Sequence, residues 1–514
     1  MKLILFFNLF VCYLYGNSLY LQADPFYLFH YELNQFIQND FSDDLNMRPV
    51  YSESNKSTLN LYLNSWYYYN DNAPNLENTS DKWVGKGSNF YKSIHYDYKN
   101  DFLIFSIEPF FYTSENLPFS APEDLDGESQ EHTDPIFLAL NENRVHSESA
   151  YKSYGFRESQ IILHRNDIGI GFSNANLWWG PGIHNSLHIS NNTSGFNYFY
   201  LGTNSTKRVK DFGYNYKYVF SKLDKNIYEP YYTGLAGDIT YFSNIITTVG
   251  FFRSFLSGGL SSSDNISILD AMLLPFEKIF KKDLYEDNNF EDPSNQTDQT
   301  LSIFTSVIFP EYKTKIFCEF GWNDHRWDLY DFFQHPDHSS AKMLGFRKYG
   351  LFNNDKIIFG LEYTDLITGR YENRGYGSPD WYIRNIFDYY KYNGRRFTAH
   401  SGSDSDDFLI YFGYLSKNNE LIFSINHERH GVTKSVELSN VEDENGTTYF
   451  HVPEYKIEFK LDYRTTFKEY DIFFIYEFEY LDNLGIPHQG INPRFSLPKR
   501  KSNVFGIGFS KNFK

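Results

Sequence analysis

Two segments gather the side chains that could hold a sugar. The first is Asn176-Leu177-Trp178-Trp179-Gly180-Pro181-Gly182-Ile183-His184-Asn185-Ser186-Leu187, which runs on to Ser190-Asn191-Asn192-Thr193-Ser194-Gly195-Phe196. The second holds Glu319, Asn323, Asp324, His325 and Arg326. Indole faces stack on the apolar faces of pyranose rings, while amides, carboxylates, imidazoles and guanidiniums pair with hydroxyls. Trp178, Trp179, His184, Asn185, Asn191 and Asn192 offer that mix in one segment, and the five polar residues offer it in the other. A packing or interface role is the plainer alternative for the paired tryptophans. Gly180-Pro181-Gly182 is by composition a turn. Other chemistries find less support. His335-x-x-His338, with His325, Asp324 and Asp331 nearby, lacks a third ligand at fixed spacing, and zinc sites take three or four N or S ligands. Asp404, Asp406 and Asp407 read as a solvated acidic loop rather than a calcium site. Asp328 and Asp331 do not by spacing define a glycosidase pair. No metal, cofactor or catalytic residue is expected.

Composition narrows the frame around these segments. The chain has 514 residues, with 47 Lys+Arg against 65 Asp+Glu and a formal charge of −18. Aromatics reach 20%, yet mean hydropathy is −0.52. No run beyond the N-terminus holds about 18 consecutive apolar residues, which excludes a helical membrane protein. Two cysteines are too few for a disulfide scaffold. An acidic chain lacks the basic footprint of a nucleic-acid binder, and so much Phe and Tyr excludes disorder over most of the length. Met1-Lys2, the apolar run from Leu3 to Tyr15 and Gly16-Asn17-Ser18 read as a cleaved secretory signal peptide, residues 1–18. Val11 is the wrong size to precede a lipoprotein cysteine at Cys12. Losing Lys2 and Cys12 moves the charge from −18 to −19 and leaves Cys318 unaccompanied.

The elements that must position the polar segments are set by a period of two. From Glu454 to Arg464, Tyr455, Ile457, Phe459, Leu461 and Tyr463 share one face, with Lys456, Glu458, Lys460 and Asp462 on the other. The same alternation recurs at Tyr470–Tyr480, Phe212–Phe220, Leu421–Glu428 and Ile357–Tyr363. Near the centre, Arg165-Asn166-Asp167 marks a turn between two such runs. A sandwich buries its apolar faces against each other; a membrane barrel turns them to lipid. Three features favour an all-β transmembrane antiparallel barrel. Apolar faces bounded by tyrosine, as at Tyr455 and Tyr463, span roughly 26 Å, close to the height of the apolar band between aromatic girdles. Strand follows strand over a length unusual for one sandwich. The chain ends in a strand, Val504 to Phe513, able to close a ring, although Lys514 follows the final aromatic. By the same parity Glu319 faces away from Cys318 and Ile316, toward a lumen.

Two stretches depart from this rhythm. Asp24-Pro25 and the following residues to Asn39 predict a helix with Asp24 as N-cap. Asp264 to Leu284 carries Leu269, Met272, Leu273, Phe276, Ile279 and Phe280 at helical spacing, with a kink or restart at Pro275. Residues 122–134, 286–300, 401–407 and 442–447 have loop composition.

The polar segments resemble the Wzi capsule-assembly family, in which WWGPG is followed by NSL and then SNN and GF. A second similarity runs from Glu319-Phe320-Gly321-Trp322-Asn323-Asp324-His325 through Asp328-Leu329-Tyr330-Asp331-Phe332 to His338-Ser339-Ser340-Ala341. Weaker ones lie at residues 83–89 and at Leu274-Pro275-Phe276. The family's histidine after Trp381-Tyr382 is replaced by Ile383-Arg384. The resemblance implies a bacterial outer-membrane barrel of about 18 strands with a small helical plug or cap near the periplasmic mouth. Its parts would be an N-terminal helical segment at 19–50, a barrel at 51–514 and a helical insertion at about 264–290. It implies a non-enzymatic lectin that anchors capsular or exopolysaccharide. Its partners would be that polymer, outer-membrane lipid and the barrel-assembly machinery, with no nucleic acid. A porin or oligosaccharide channel on the same barrel is the alternative, decided by whether the lumen is open. A secreted β-rich glycosidase is the third reading.

Overall fold

The computed structural model describes residues 20–21, 25–41, 45–51, 58–74, 77–119, 150–259, 266–276, 297–323, 339–367, 381–382, 390–416, 418–433, 452–483 and 499–513. The expected signal peptide lies outside them, as do Asp324, His325 and Arg326, His335 and His338, and the loops expected at 122–134 and 442–447.

Alternation along each strand becomes a closed wall of 18 antiparallel strands. In chain order they are β1 (Thr58–Asn70), β2 (Gly87–Lys99), β3 (Leu103–Ser114), β4 (Tyr151–Arg165), β5 (Ile168–Ser173), β6 (Tyr198–Thr203, continued by Lys207–Val209), β7 (Phe212–Lys222), β8 (Tyr231–Tyr241) and β9 (Ile246–Ser257). The second half is β10 (Asp298–Phe309), β11 (Thr314–Asn323), β12 (Ser340–Tyr349), β13 (Ile357–Asp365), β14 (Ser405–Leu415), β15 (Asn419–His430), β16 (Glu454–Phe467), β17 (Tyr470–Asp482) and β18 (Lys499–Phe513). Every strand pairs with its sequence neighbour, and β18 pairs with β1 from Val504↔Asn70 to Phe513↔Leu61, so no sheet edge remains.

The face assignments follow the sequence. On β16 Tyr455, Phe459 and Leu461 are exposed on the outer wall, while Lys456 and Glu458 are buried within. Outer rings meet across strands, as in Phe459–Phe478 at 6.3 Å and Tyr476–Phe505 at 4.9 Å. Glu319 points inward and is buried, and Cys318 is exposed on the outside. Asn166 and Asp167 both take positive φ, 51° and 61°, as a two-residue hairpin turn with the right twist requires. That turn belongs to one end of the barrel, where all connections are short. The long connections, such as those from β9 to β10 and from β13 to β14, leave and rejoin the wall at the other end. Short turns mark the periplasmic side and long loops the cell exterior.

The N-terminal helix forms as expected, at α1 (Pro25–Gln38), and enters the short-turn mouth. Leu28, Phe29, Leu33 and Phe36 join Tyr349, Ile358, Leu409, Tyr411 and Ile422 of the inner wall in one apolar cluster. The second helix is shorter than its sequence pattern, α2 (Ile268–Leu273), capped by the Ser267 side chain. At Pro275 it tightens to a 3-10 turn, Leu274–Phe276, and the remainder lies outside the described residues. Its position corrects the expectation that it helps plug the barrel near the periplasm. Tyr218 and Thr233 donate hydrogen bonds, each of 2.8 Å, to Met272 O and Ala271 O. Those two residues share the parity of the lipid-facing side chains of β7 and β8, so α2 packs on the outside of the wall, at the long-loop end.

Candidate functional site

Residues 174–197, between β5 and β6, break the strand rhythm because they turn back into the barrel. Met47–Arg48 pairs with Trp178–Trp179 as a two-residue antiparallel ladder. The Arg48 guanidinium lies 4.7 Å over the Trp178 ring and donates to Gly182 O at 3.0 Å. Trp179 stacks on Phe252 with centroids 6.1 Å apart. It approaches β8 so closely that a Cβ on Gly234 would meet its ring at 2.7 Å, which explains the glycine there. Glu362, pointing inward from β13, accepts from three successive backbone amides: Ile183 N at 2.7 Å, His184 N at 3.1 Å and Asn185 N at 2.9 Å. Arg347 of β12 donates to Pro181 O.

The rest of the segment meets a second in-folded connection, residues 390–404. Ser190 Oγ donates to Thr398 O at 2.6 Å, Asn192 Nδ2 donates to Arg396 O at 3.1 Å, and Arg395 donates to Asn192 O. Asn191 Nδ2 donates to Asn78 O at 3.3 Å. His188 bridges the hydroxyls of Ser254 at 3.1 Å and Ser302 at 2.9 Å. Burial pushes its imidazole down to about 3, so it stays neutral there. Ser302 Oγ in turn donates to Glu319 Oε1 at 2.6 Å. The two motif segments, more than a hundred residues apart, therefore join through His188, Ser302 and Glu319. Asn323 is buried where β11 ends. Trp178 and Trp179 are 0% exposed, so their observed role is packing.

At the His184–Asn185 corner the expected acidic loop proves to be something else. Asp404, Asp406 and Asp407 are buried, not solvated. Asp404 accepts Thr433 N, Asp406 pairs with Arg429, and Asp407 lies 3.3 Å from His184 Nε2 and 3.1 Å from His400 Nε2. Asn185 Nδ2 donates to Asp407 at 2.7 Å, and Asn426 Nδ2 meets His184 Nε2 at 2.9 Å. The reason is topological: residues 405–407 begin β14, where Asp407 turns inward against residues 174–197 and Asp406, of outward parity, is covered by Arg429 of β15.

A family model for the capsule assembly protein Wzi matches residues 72–475. The chain belongs to the Wzi capsule-assembly family. Among solved structures it is similar to Wzi of Escherichia coli, described as a carbohydrate-binding β-barrel of the outer membrane involved in group 1 capsule assembly. Identity there is 9% and the TM-score 0.56, over 94% of this chain and 97% of that one. Two Pseudomonas aeruginosa proteins, the outer membrane protein OprD and OccK7, are 9% identical with TM-scores of 0.38 and 0.39. They cover 89% and 88% of this chain and 93% and 99% of their own. No curated protein matches the sequence significantly. The first Wzi motif is thus the lumen-filling part of an outer-membrane barrel, and the opening of the second, residues 319–323, belongs to its wall. Sequence reasoning missed Glu362, His400 and Glu428, which complete the site. Each is one more polar residue of an alternating strand or a loop until the in-folded segments come to lie against it.

The plug does not cover the whole inner wall. Opposite it, across β16, β17, β18 and β1, inward side chains stay partly open: the Lys460 side chain is 31% exposed and that of Asp471 30%. Trp66 lies flat on this wall over Gly508, where a Cβ would meet the indole at 2.5 Å. It packs against Phe473 at 4.8 Å and stacks on Tyr68 at 5.7 Å, with the Lys82 ammonium 4.7 Å from its ring.

Proposed function

We propose that this protein is a non-enzymatic outer-membrane lectin that holds capsular or exopolysaccharide at the cell surface. The observation that carries the reading is the obstructed lumen: two in-folded connections bonded to one side of the wall and to each other, with α1 in the periplasmic mouth. Such a barrel suits an anchor better than a diffusion pore. Family membership supports it, and the related Escherichia coli barrel is described as carbohydrate-binding. The buried motif residues Trp178, Trp179, His184, Asn185, Asn191, Asn192, Glu319 and Asn323 hold the plug. Direct contact with the polymer falls to the uncovered wall, where Trp66 offers an aromatic platform beside Lys82, Asn64 and Lys460. Each contact is weak, and a long polymer is retained by many of them. A strain lacking the protein should release its surface polysaccharide into the medium, and the wild-type gene should restore retention. Trp66→Ala should lower polysaccharide binding by the purified barrel about tenfold, the loss of one aromatic anchor. Full retention without the protein, or unchanged binding in the variant, would refute the anchor or the platform respectively.

A further inference from the structure

Four chain segments bring metal-ligand atoms to one point of the lumen. One such atom from each of Glu77, His184, His400 and Glu428 lies within 4.8 Å of the others. Glu77 comes from the connection β1–β2, His184 from the in-folded segment, His400 from the 390–404 connection and Glu428 from the wall strand β15. No two are close in sequence, so only the assembled plug creates the group.

The orientation of His400 is the telling feature. Its Nδ1 lies 3.0 Å from His184 O, a contact that a protonated Nδ1 makes as donor. With Nδ1 as donor, Nε2 carries either a second proton or a lone pair open to a metal ion. Nε2 is buried and makes no hydrogen bond of acceptable geometry, yet three carboxylate oxygens face it: Asp407 Oδ2 at 3.1 Å, Glu428 Oε1 at 3.4 Å and Glu77 Oε2 at 3.5 Å. A lone pair turned toward three carboxylates is repulsive unless a cation lies between them. The His400 separations of 3.4 Å to Glu428 and 3.5 Å to Glu77 meet that need: donors bound at about 2.0–2.1 Å around a tetrahedral zinc ion stand about 3.3 Å apart. The surroundings also match. A ligating imidazole characteristically gives its other N–H to a backbone carbonyl, as His400 does, and outer carboxylates and amides fix the inner set. Asp407, held by the Asn185 and Asn426 amides, brings a further carboxylate oxygen to the same point, 3.3 Å from His184 Nε2 and 3.1 Å from His400 Nε2. Lys456 contacts Glu77 and lies 3.1 Å from Glu428, which steadies both carboxylates. The side chains of His184 and Glu77 are 13% and 17% exposed, so an ion has a way in.

We infer that Glu77, His184, His400 and Glu428 form a structural site for one divalent transition-metal ion, zinc by ligand type, that clasps the plug to the barrel wall. Mixed imidazole and carboxylate donors favour zinc, cobalt or nickel over calcium, which takes oxygen ligands. The site does not depend on the lectin reading: it can be present in a barrel that binds no sugar.

The test uses the full chain folded in detergent, stripped with a chelator, and offered Zn2+ alone. Elemental analysis after gel filtration should find about one zinc per chain. Co2+ should give the intense visible absorption of a four-coordinate site, displaced by Zn2+ and not by Ca2+. The double variant His184→Ala/His400→Ala, checked for heat-modifiable mobility, should bind zinc at least about 100-fold more weakly, since loss of a mere outer-shell partner already costs 10–100-fold. A wild-type barrel without stoichiometric zinc would overturn the inference and leave a proton as the cation at His400. So would a double variant that binds zinc as the wild type does. The cobalt spectrum of the wild type decides the matter even where the variant does not fold.

Discussion

Replacing Glu362 by alanine should open the barrel without unfolding it. One carboxylate accepts the amides of Ile183, His184 and Asn185, and Ile183 and Asn185 are buried in the lumen. Stranding a buried donor costs about 1–3 kcal/mol each, so the variant loses several kcal/mol at one point of the in-folded segment. The barrel wall loses much less. The β13 backbone ladder to β12 and β14 is untouched, and heat-modifiable mobility should persist. The segment has no comparable replacement: Arg347 reaches Pro181 O and Arg48 reaches Gly182 O, but neither can accept a proton. The expected result is protease cleavage within residues 174–197 and a several-fold rise in single-channel conductance in planar bilayers. Glu362→Gln keeps one carbonyl acceptor but turns an NH2 toward the same amides, so it should fall between. Unchanged protection and conductance in Glu362→Ala would show that the segment is held by its apolar contacts, chiefly Trp179 on Phe252.

This dependence on a residue of another strand explains what the sequence could and could not reveal. Strand existence and facing are local properties. The period-two pattern from Tyr455 to Tyr463 and the Asn166-Asp167 turn each depend on neighbours a few positions away, and the structure repeats them. The closing strand from Val504 was legible for the same reason. The plug is not local. Residues 174–197 announced themselves only by failing to alternate, and nothing in them states that they fold inward. Asp404, Asp406 and Asp407 have the composition of a solvated loop, and they are buried by partners that the segment itself does not contain: Thr433, Arg429 and residues 174–197. The helical spacing of α2 was real, but its placement was not encoded in that spacing: an amphipathic face packs equally well against the inside or the outside of a wall. Trp66 was hidden among Trp66-Tyr67-Tyr68-Tyr69, where parity separates lumen from lipid only once the register to Gly508 is known.

Glu32→Ala should release α1 from the periplasmic mouth. The Glu32 carboxylate lies 3.1 Å from Lys315 Nζ and 3.3 Å from Arg347 Nη1, and it accepts the Tyr349 hydroxyl at 2.8 Å. Burial alone would raise its pKa, but Arg347 and Lys315 outweigh that and hold it below the ordinary 4.5. Removing it leaves two buried cations facing each other, and breaking a buried pair in this way costs about 3–5 kcal/mol. The apolar face of α1 cannot absorb that loss while Lys315 and Arg347 stay in the lumen, so the helix leaves and the cations gain water. The expected readout is rapid protease cleavage within residues 25–38, with the barrel itself intact. Acid should imitate the variant. A carboxylate with a depressed folded pKa lends stability that is complete above its unfolded value of 4.5 and fades as pH falls through the folded one. Wild-type α1 should therefore become cleavable only below pH 4.5, and Glu32→Ala should show no such transition. Arg347 serves both anchors, through Glu32 and through Pro181 O. Glu32→Ala and Glu362→Ala should accordingly be non-additive in conductance, since residues sharing a partner couple. Strict additivity would mean that the helix and the in-folded segment are fastened independently, with Arg347 carrying no load between them.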